Sequence, residues 1–334
     1  MIAGFVTKVN LTKIKLTKIN LEVTMKTVKL YLACVLLGSV AYGMPLNSSA
    51  RSVIPGDLQQ VISVDYRSLR NSPTAMALKA QLLPDYLKQF EGALKGIAID
   101  PEKDVDTLSF AAFRTPKQGV KNVGIVSGDF NMKAVLKKMK LQSYKPKLYK
   151  DANLYPMDGG MVMTFLDNST LLFGESTAVR MALDVKNGEG QSIDTNSIMA
   201  DMMSSVDSSA VWSILDQLGT QNVMRSALGD AAKVADYESV KKRLMGSRYT
   251  MDFSSGVTFE LDVVASDSIT AATLSSLVKA GMIYKKMGAS PVEKVAIDNT
   301  TIDSDSSDVK VHFKANDQQF QSLMHSELFA AVSH

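Results

Sequence analysis

The sequence predicts an α+β fold of two tandem similar lobes, each an antiparallel sheet with helices packed on one face. Three observations predict it. Strand-like runs follow one another across short turns, which favours antiparallel pairing over the regular strand–helix alternation of a parallel sheet. Helical periodicity is confined to a few separate segments. The order strand, long helix, hairpin, helix, antiparallel strands, short helix also occurs twice, with a period of roughly 130 residues.

The first lobe is read at residues 58–190 and the second at 209–334, with 191–208 as connector and 44–57 as a leading linker that carries Pro45 and Pro55. Val61, Ile62, Val64 and Tyr66 open the first lobe as a short β-rich run. From Pro73 to Lys95, Met76, Leu78, Leu82, Leu83, Tyr86, Leu87, Phe90 and Leu94 recur at helical spacing. Pro84 divides this helix, because it lacks an amide hydrogen and crowds the preceding turn. Strands follow from Val105 to Phe113 and from Val120 to Ser127, and Asp129 is expected to cap a helix from Asn131 to Lys140. Lys147 to Met157, Met161 to Leu166 and Thr170 to Gly174 read as three further strands, separated by Asp158-Gly159-Gly160 and Asp167-Asn168-Ser169. Ser176 opens a helix through Val179 to Val185, with Gly188 and Gly190 past its end.

In the second lobe Ala210 to Asp216 gives a strand and 222–244 helical segments. Arg248 to Phe253 and Val257 to Ala265 form a hairpin across Ser254-Ser255-Gly256. Asp267 or Ser268 caps a helix to about Met287, strands run from Val292 to Asp303 and from Val309 to Lys314, and a helix from Asp317 to Phe329 closes the chain. Gly124 to Asp129 parallels Leu261 to Asp267, and Leu171 to Leu183 parallels Val311 to Met324, which supports the repeat.

Met25 to Gly43 has the form of an export signal: Lys26 and Lys29, the apolar run Leu30 to Val40, then the small-residue site Ala41-Tyr42-Gly43. A retained anchor needs roughly 17 to 25 apolar residues, and this run has eleven. Cleavage is therefore favoured over an uncleaved anchor or lipidation at Cys34. Residues 1–24 read as an extension upstream of the true start at Met25. Residues 44–334 then hold 31 basic against 33 acidic side chains, a net charge of about −2. That balance gives no electrostatic footprint for nucleic acid. Cys34 is the only cysteine, so the exported body has neither disulfide nor thiol nucleophile, and its core alone must stabilise it.

Gly96-Ile97-Ala98-Ile99-Asp100-Pro101-Glu102-Lys103-Asp104-Val105-Asp106, then Ser127 to Phe130, Tyr149 to Tyr155, Thr170 to Gly174 and Val179-Arg180, resemble a diffuse family of exported bacterial proteins of uncharacterised function. The resemblance covers about residues 57–190. It implies a signal peptide and a duplicated α+β body, and brings no catalytic residue with it.

No catalytic, cofactor-binding or metal-binding residue is assigned. His312, His325 and His334 lack an H-E-x-x-H spacing and read as structural or surface residues. Ser239 to Lys242 and Ser276 to Lys279 have Ser-x-x-Lys spacing without companion motifs, and no G-x-S-x-G elbow occurs. Gly188-Glu189-Gly190 is a helix-ending loop and lacks the phosphate-binding frame. Asp298, Asp303, Asp305 and Asp308 offer oxygen ligands without the glycine and glutamate of a calcium loop. Met157, Met161 and Met163, and Met199, Met202 and Met203, read as core, as does Trp212 at the junction of the lobes. Lys133, Lys137, Lys138, Lys140, Lys145, Lys147 and Lys150 read as a solvated face.

The sequence therefore points to an exported, non-catalytic binding or envelope-associated protein of unknown protein or envelope ligand, in the periplasm or outside the cell, with no integral span after cleavage. Two alternatives stand beside it: a hydrolase using loop carboxylates, and a carrier of an apolar ligand, which predicts a cavity of at least about 300 Å³ between helix and sheet.

Overall fold

β-Branched and aromatic runs supply the strands, and apolar faces and turn chemistry select their partners. The structure, a computed structural model, describes residues 44–325 apart from 83–84, 116–118, 143, 158–159 and 229–236. The expected leader, the segment before it and the end of the closing helix lie outside the described residues. Among the described residues the first half of the chain contains α1 (Ser48–Arg51), β1 (Leu58–Asp65), α2 (Tyr66–Arg70), α3 (Pro73–Leu82), α4 (Asp85–Gly96), β2 (Val105–Thr115), β3 (Gly119–Gly128), α5 (Met132–Leu141), β4 (Lys147–Tyr149), β5 (Ala152–Pro156), β6 (Met161–Phe165), β7 (Thr170–Glu175) and α6 (Ser176–Lys186). The second contains α7 (Ser197–Ser204), β8 (Val211–Asp216), α8 (Gln217–Leu228), α9 (Tyr237–Lys241), β9 (Leu244–Asp252), β10 (Val257–Ala265), α10 (Ser268–Gly288), α11 (Pro291–Asp298), β11 (Thr300–Asp305), β12 (Asp308–Ala315) and α12 (Asp317–Met324).

All the strands are antiparallel and form one sheet, in the order β11-β12-β10-β9-β8-β1-β2-β3-β7-β6-β5-β4. The fold is α+β, and the two sheets expected of two lobes are joined into one where β1 pairs with β8. At that seam Val61 lies opposite Ile214 and Ser63 opposite Trp212. Outward from it the pairing order is shared, β1-β2-β3-β7-β6 on one side and β8-β9-β10-β12-β11 on the other. The halves differ in their helices. Ala178 and Val179 of α6 pack with Val123, Ile125 and Leu172 on one sheet face, whereas Phe320 and Met324 of α12 pack with Phe313 on the other.

Cross-strand neighbours explain where the helices go. One rung reads Phe165, Leu171, Val126, Leu108, Val64, Val211, Met251, Phe259, Phe313, apolar across nine strands. This face is covered along its length, by α4 and α5 in the first half and by α8, α10 and α12 in the second. On the reverse face a rung reads Val123, Ala111, Val61, Ile214, and then Arg248, Asp262, Lys310, Asp303. Only its apolar part is covered, by α1, α6 and α7. Beyond Ile214 the same face presents alternating charge, with Arg248 Nε 3.1 Å from Asp262 and Arg248 Nη2 3.6 Å from Asp308. Helices thus cover both faces of the first half and of β8, and one face of β10, β11 and β12.

Several local expectations change. The leading linker is docked: Asn47 caps α1 by accepting from Ala50 N at 2.7 Å, and Ala50, Val53 and Ile54 are fully buried. The 191–208 connector forms a 3-10 turn at Ile193–Thr195 and then α7, whose Met199, Met202 and Met203 join the core. Asn131, not Asp129, caps α5, accepting from Ala134 N at 3.1 Å. The run Lys147 to Met157 is two strands, because Lys150 takes a positive φ and turns the chain while its ammonium binds Asp184 and Glu189. Gly256 has φ +85° in its hairpin, and a Cβ there would lie 2.3 Å from the Ala315 carbonyl oxygen.

Two outcomes are expected from this packing. Trp212 is 1% exposed at the seam, so Trp212→Ala should cost about 3–5 kcal/mol, seen by circular dichroism as a lower urea midpoint at unchanged m-value. Asp267 caps α10, accepting from Thr270 N at 2.8 Å and the Thr270 hydroxyl at 2.9 Å. The backbone bond foremost, with the Ser266 and Thr270 hydroxyls, holds its carboxyl down at about 2. A carboxyl depressed by folding adds stability that is complete above its unfolded value near ~3.9 and is lost as pH falls toward the folded one. Asp267→Asn keeps an acceptor but does not titrate, so its loss of stability on acidification from about pH 4 to 2 should be shallower than the parent's.

Candidate functional site

Ser290-Pro291-Val292-Glu293 starts α11 with a reciprocal capping box. The Ser290 hydroxyl accepts from Glu293 N at 3.4 Å, the Glu293 carboxylate accepts from Ser290 N at 2.8 Å, and Pro291 occupies the first turn, where no amide is needed. α12 starts the same way: Asn316 Oδ1 accepts from Gln319 N at 2.9 Å and Gln319 Oε1 accepts from Asn316 N at 3.1 Å. Two well-fixed helix starts therefore stand over the end of β12.

Between them lies a groove of about 380 Å³. Phe313 and Ala315 of β12 line it together with Val292, Val295 and Ala296 of α11 and Leu323 of α12. Asn299, Asn316, Gln318, Gln319 and Ser322 supply neutral polar groups around the apolar walls. α11 buries no residue, and Val292 and Val295 remain 40% and 45% exposed. The helix is tied at its C-terminal end by the Thr300 hydroxyl, which donates to Ala296 O at 2.9 Å, and by the Lys286–Asp298 pair. An apolar wall with an amide and hydroxyl rim suits an uncharged apolar ligand or chain segment with a hydrogen-bonding end. A second cavity, of about 490 Å³, lies between α4 and the β5–β6 hairpin and is lined by Phe90, Ala93, Tyr144, Met157, Met161 and Met163 among others. Among the described residues neither lining includes a carboxylate.

The groove residues were missed because Val292 to Asp303 reads as a strand. The Ser-Pro-x-Glu start was the available signal. His312 lies 3.3 Å from Glu260 on the charged sheet face, whereas His325 ends α12 on the opposite side. Ser276 donates to Ala272 O at 2.9 Å and Lys279 is exposed, so that pair is helix surface; Ser239 and Lys242 are likewise exposed. The four aspartates do not converge: Asp298 pairs with Lys286, Asp305 with Lys310 and Asp308 with Arg248, while Asp303 lies opposite Lys310. Among the described residues no three His, Cys, Asp or Glu side chains gather as a metal site. Met157, Met161 and Met163 share the second cavity, a placement their spacing alone did not reveal. Gly188 closes α6 with φ +79°.

Raised pKa values occur at structural contacts away from the groove. Burial, then the Glu91 carboxylate that accepts its hydrogen bond at 2.8 Å, pushes the Tyr66 phenol up. Lys79 completes this group, 2.7 Å from Glu91 and 4.3 Å above the Tyr66 ring. Among the described residues the groove lining contains no ionisable side chain. Uptake of a neutral ligand there should accordingly vary less than about two-fold between pH 5.5 and 8.5, measured by titration at fixed ionic strength.

No family model and no curated protein matches the chain. Among solved structures, crystal form I of TP0453 is similar with a TM-score of 0.48 at 8% identity, over 85% of this chain and 97% of that one. Crystal form IV gives 0.46 at 8% identity, over 83% and 96%.

Proposed function

We propose that this is an exported, non-catalytic binding protein of the cell envelope and that the α11–α12 groove takes its apolar ligand. The observation that carries this reading is the groove itself. Its size falls within the range of small-ligand sites, it lies between helix and sheet as an apolar carrier requires, and its polar groups are neutral. Export is supported by the leader-like stretch Met25 to Gly43 and by a body without cysteine. Among the described residues no helix is long and apolar enough to cross a membrane. The family resemblance over residues 57–190 agrees with an envelope location. Acid–base chemistry would need two carboxylates facing one cavity, and among the described residues neither cavity above is lined by one.

Binding of the neutral dye N-phenyl-1-naphthylamine, followed by its fluorescence, tests the groove. Ala296→Trp fills the groove from an incompletely buried position and should weaken binding at least ten-fold, a change of about 1.4 kcal/mol, with little change in melting temperature. Ala93→Trp, in the second cavity, should leave binding intact. Equal dye binding by parent and Ala296→Trp, or loss only with Ala93→Trp, would remove the groove from consideration.

A further inference from the structure

We propose that the outer face of α5, together with the edge strand β4, docks onto an anionic phospholipid bilayer. The proposal extends the envelope reading and does not depend on the groove.

Residues 131–150 contain seven lysines and no acidic residue, in an exported body whose net charge is about −2. Lys150 is engaged with Asp184 and Glu189. The other six, Lys133, Lys137, Lys138, Lys140, Lys145 and Lys147, are exposed, and no carboxylate among the described residues pairs with them. α5 turns Val135 and Met139 into the core. At 100° per residue the opposite arc carries Lys133, Lys137 and Leu141, with Leu136 and Lys140 flanking it.

The leucines separate a docking face from a solvated one. Leu136 is 51% exposed, and Leu141 and Leu148 are each 73% exposed. Register places Leu148 on the same side as α5. Its neighbours Lys147 and Tyr149 lie opposite Leu154 and Ala152, which belong to the core on the reverse face. Leu148 therefore faces the α5 side of the sheet edge. One exposed leucine is ordinary, but three interleaved with unpaired lysines form the pattern of an interfacial segment.

Charge complementarity selects the occupant. A surface that offers phosphates and hydrocarbon together satisfies both residue types, with ammonium groups on the headgroups and leucines below them. A nucleic acid would satisfy the lysines and leave the leucines in water.

Leu148→Trp in the full chain tests this directly. The buried Trp212 serves as internal reference, and vesicles are either pure phosphatidylcholine or contain about one-third phosphatidylglycerol, with brominated acyl chains as quencher. The introduced indole should be quenched only on anionic vesicles, and 0.5 M salt should reduce the effect. Each lysine at such a surface is worth about five-fold in affinity, so Lys133, Lys137 and Lys140→Gln together should weaken binding by about a hundred-fold. Because the readout is local to β4, attachment through the leader does not mimic it. Absence of quenching on every vesicle, equal quenching on neutral vesicles, or quenching that survives the triple substitution would each overturn the proposal. So would capture by duplex DNA without vesicle binding. Ala296→Phe, which narrows the groove without adding an indole, should not alter the signal, which keeps failure of the groove reading distinguishable from failure here.

Discussion

The antiparallel pairing of β1 with β8 is the constraint on which the rest of the molecule depends. It converts two strand sets into one sheet and places Trp212, the largest fully buried side chain, at the point where they meet. The seam is also specified by polar groups. The Ser213 hydroxyl donates to Val61 O at 2.7 Å, and Gln60 Nε2 donates to the Ser213 hydroxyl at 3.1 Å. Buried hydroxyls need partners. A one-residue slip would separate these and turn Trp212 and Ile214 onto the wrong face.

A second consequence is that the halves lean on each other away from the seam. Leu69, Ala75 and Leu78 of α2 and α3 share a core with Phe253, Val257, Phe320 and Met324 from the second half. The Thr74 hydroxyl donates to Asp317 across the same boundary. Helices contributed by one half thus cover strands of the other, so common pairing order does not make either half self-sufficient. The charged rung Arg248, Asp262, Lys310, Asp303 needs no cover, because opposite charges alternate across the strands and solvate together.

Much of the fold was legible because strands announce themselves by period and turns. Strict alternation in Phe259-Glu260-Leu261-Asp262-Val263 marks a strand with one wet face, and Gly256 marks its hairpin. The continuous apolar run in Val123-Gly124-Ile125-Val126 carried a further message, a strand covered on both faces. Its Gly124 is packed so closely that a Cβ would lie 2.1 Å from the Phe173 ring. What was not legible depended on contacts distant in sequence. The 44–57 segment resembles a linker until Ala50 and Ile54 meet Ile193 and the sheet, and α11 resembles a strand because its branched Val292, Val295 and Ile297 outweigh a cap of four residues. Of the groove, Phe313 sat in a correctly read strand and Gln318, Gln319, Ser322 and Leu323 in a correctly read helix, whereas the α11 wall did not. The lysines of α5 were visible as charge, but the exposure of the leucines among them is a tertiary fact.

The two surfaces proposed above lie at opposite ends of the sheet. β4 is one edge and β11, next to β12, is the other. At about 4.8 Å per strand spacing, eleven steps place them on the order of 50 Å apart. Both α5 and the α11–α12 pair stand on the same face by register, yet a face is not a plane. A right-handed twist of about 20° per strand turns that face through more than a right angle over eleven steps. A bilayer lying flat against Leu141 and Leu148 therefore cannot also close over Val292 and Val295. A docked molecule would hold its groove away from the lipid, open to whatever apolar ligand it exchanges with the surrounding water.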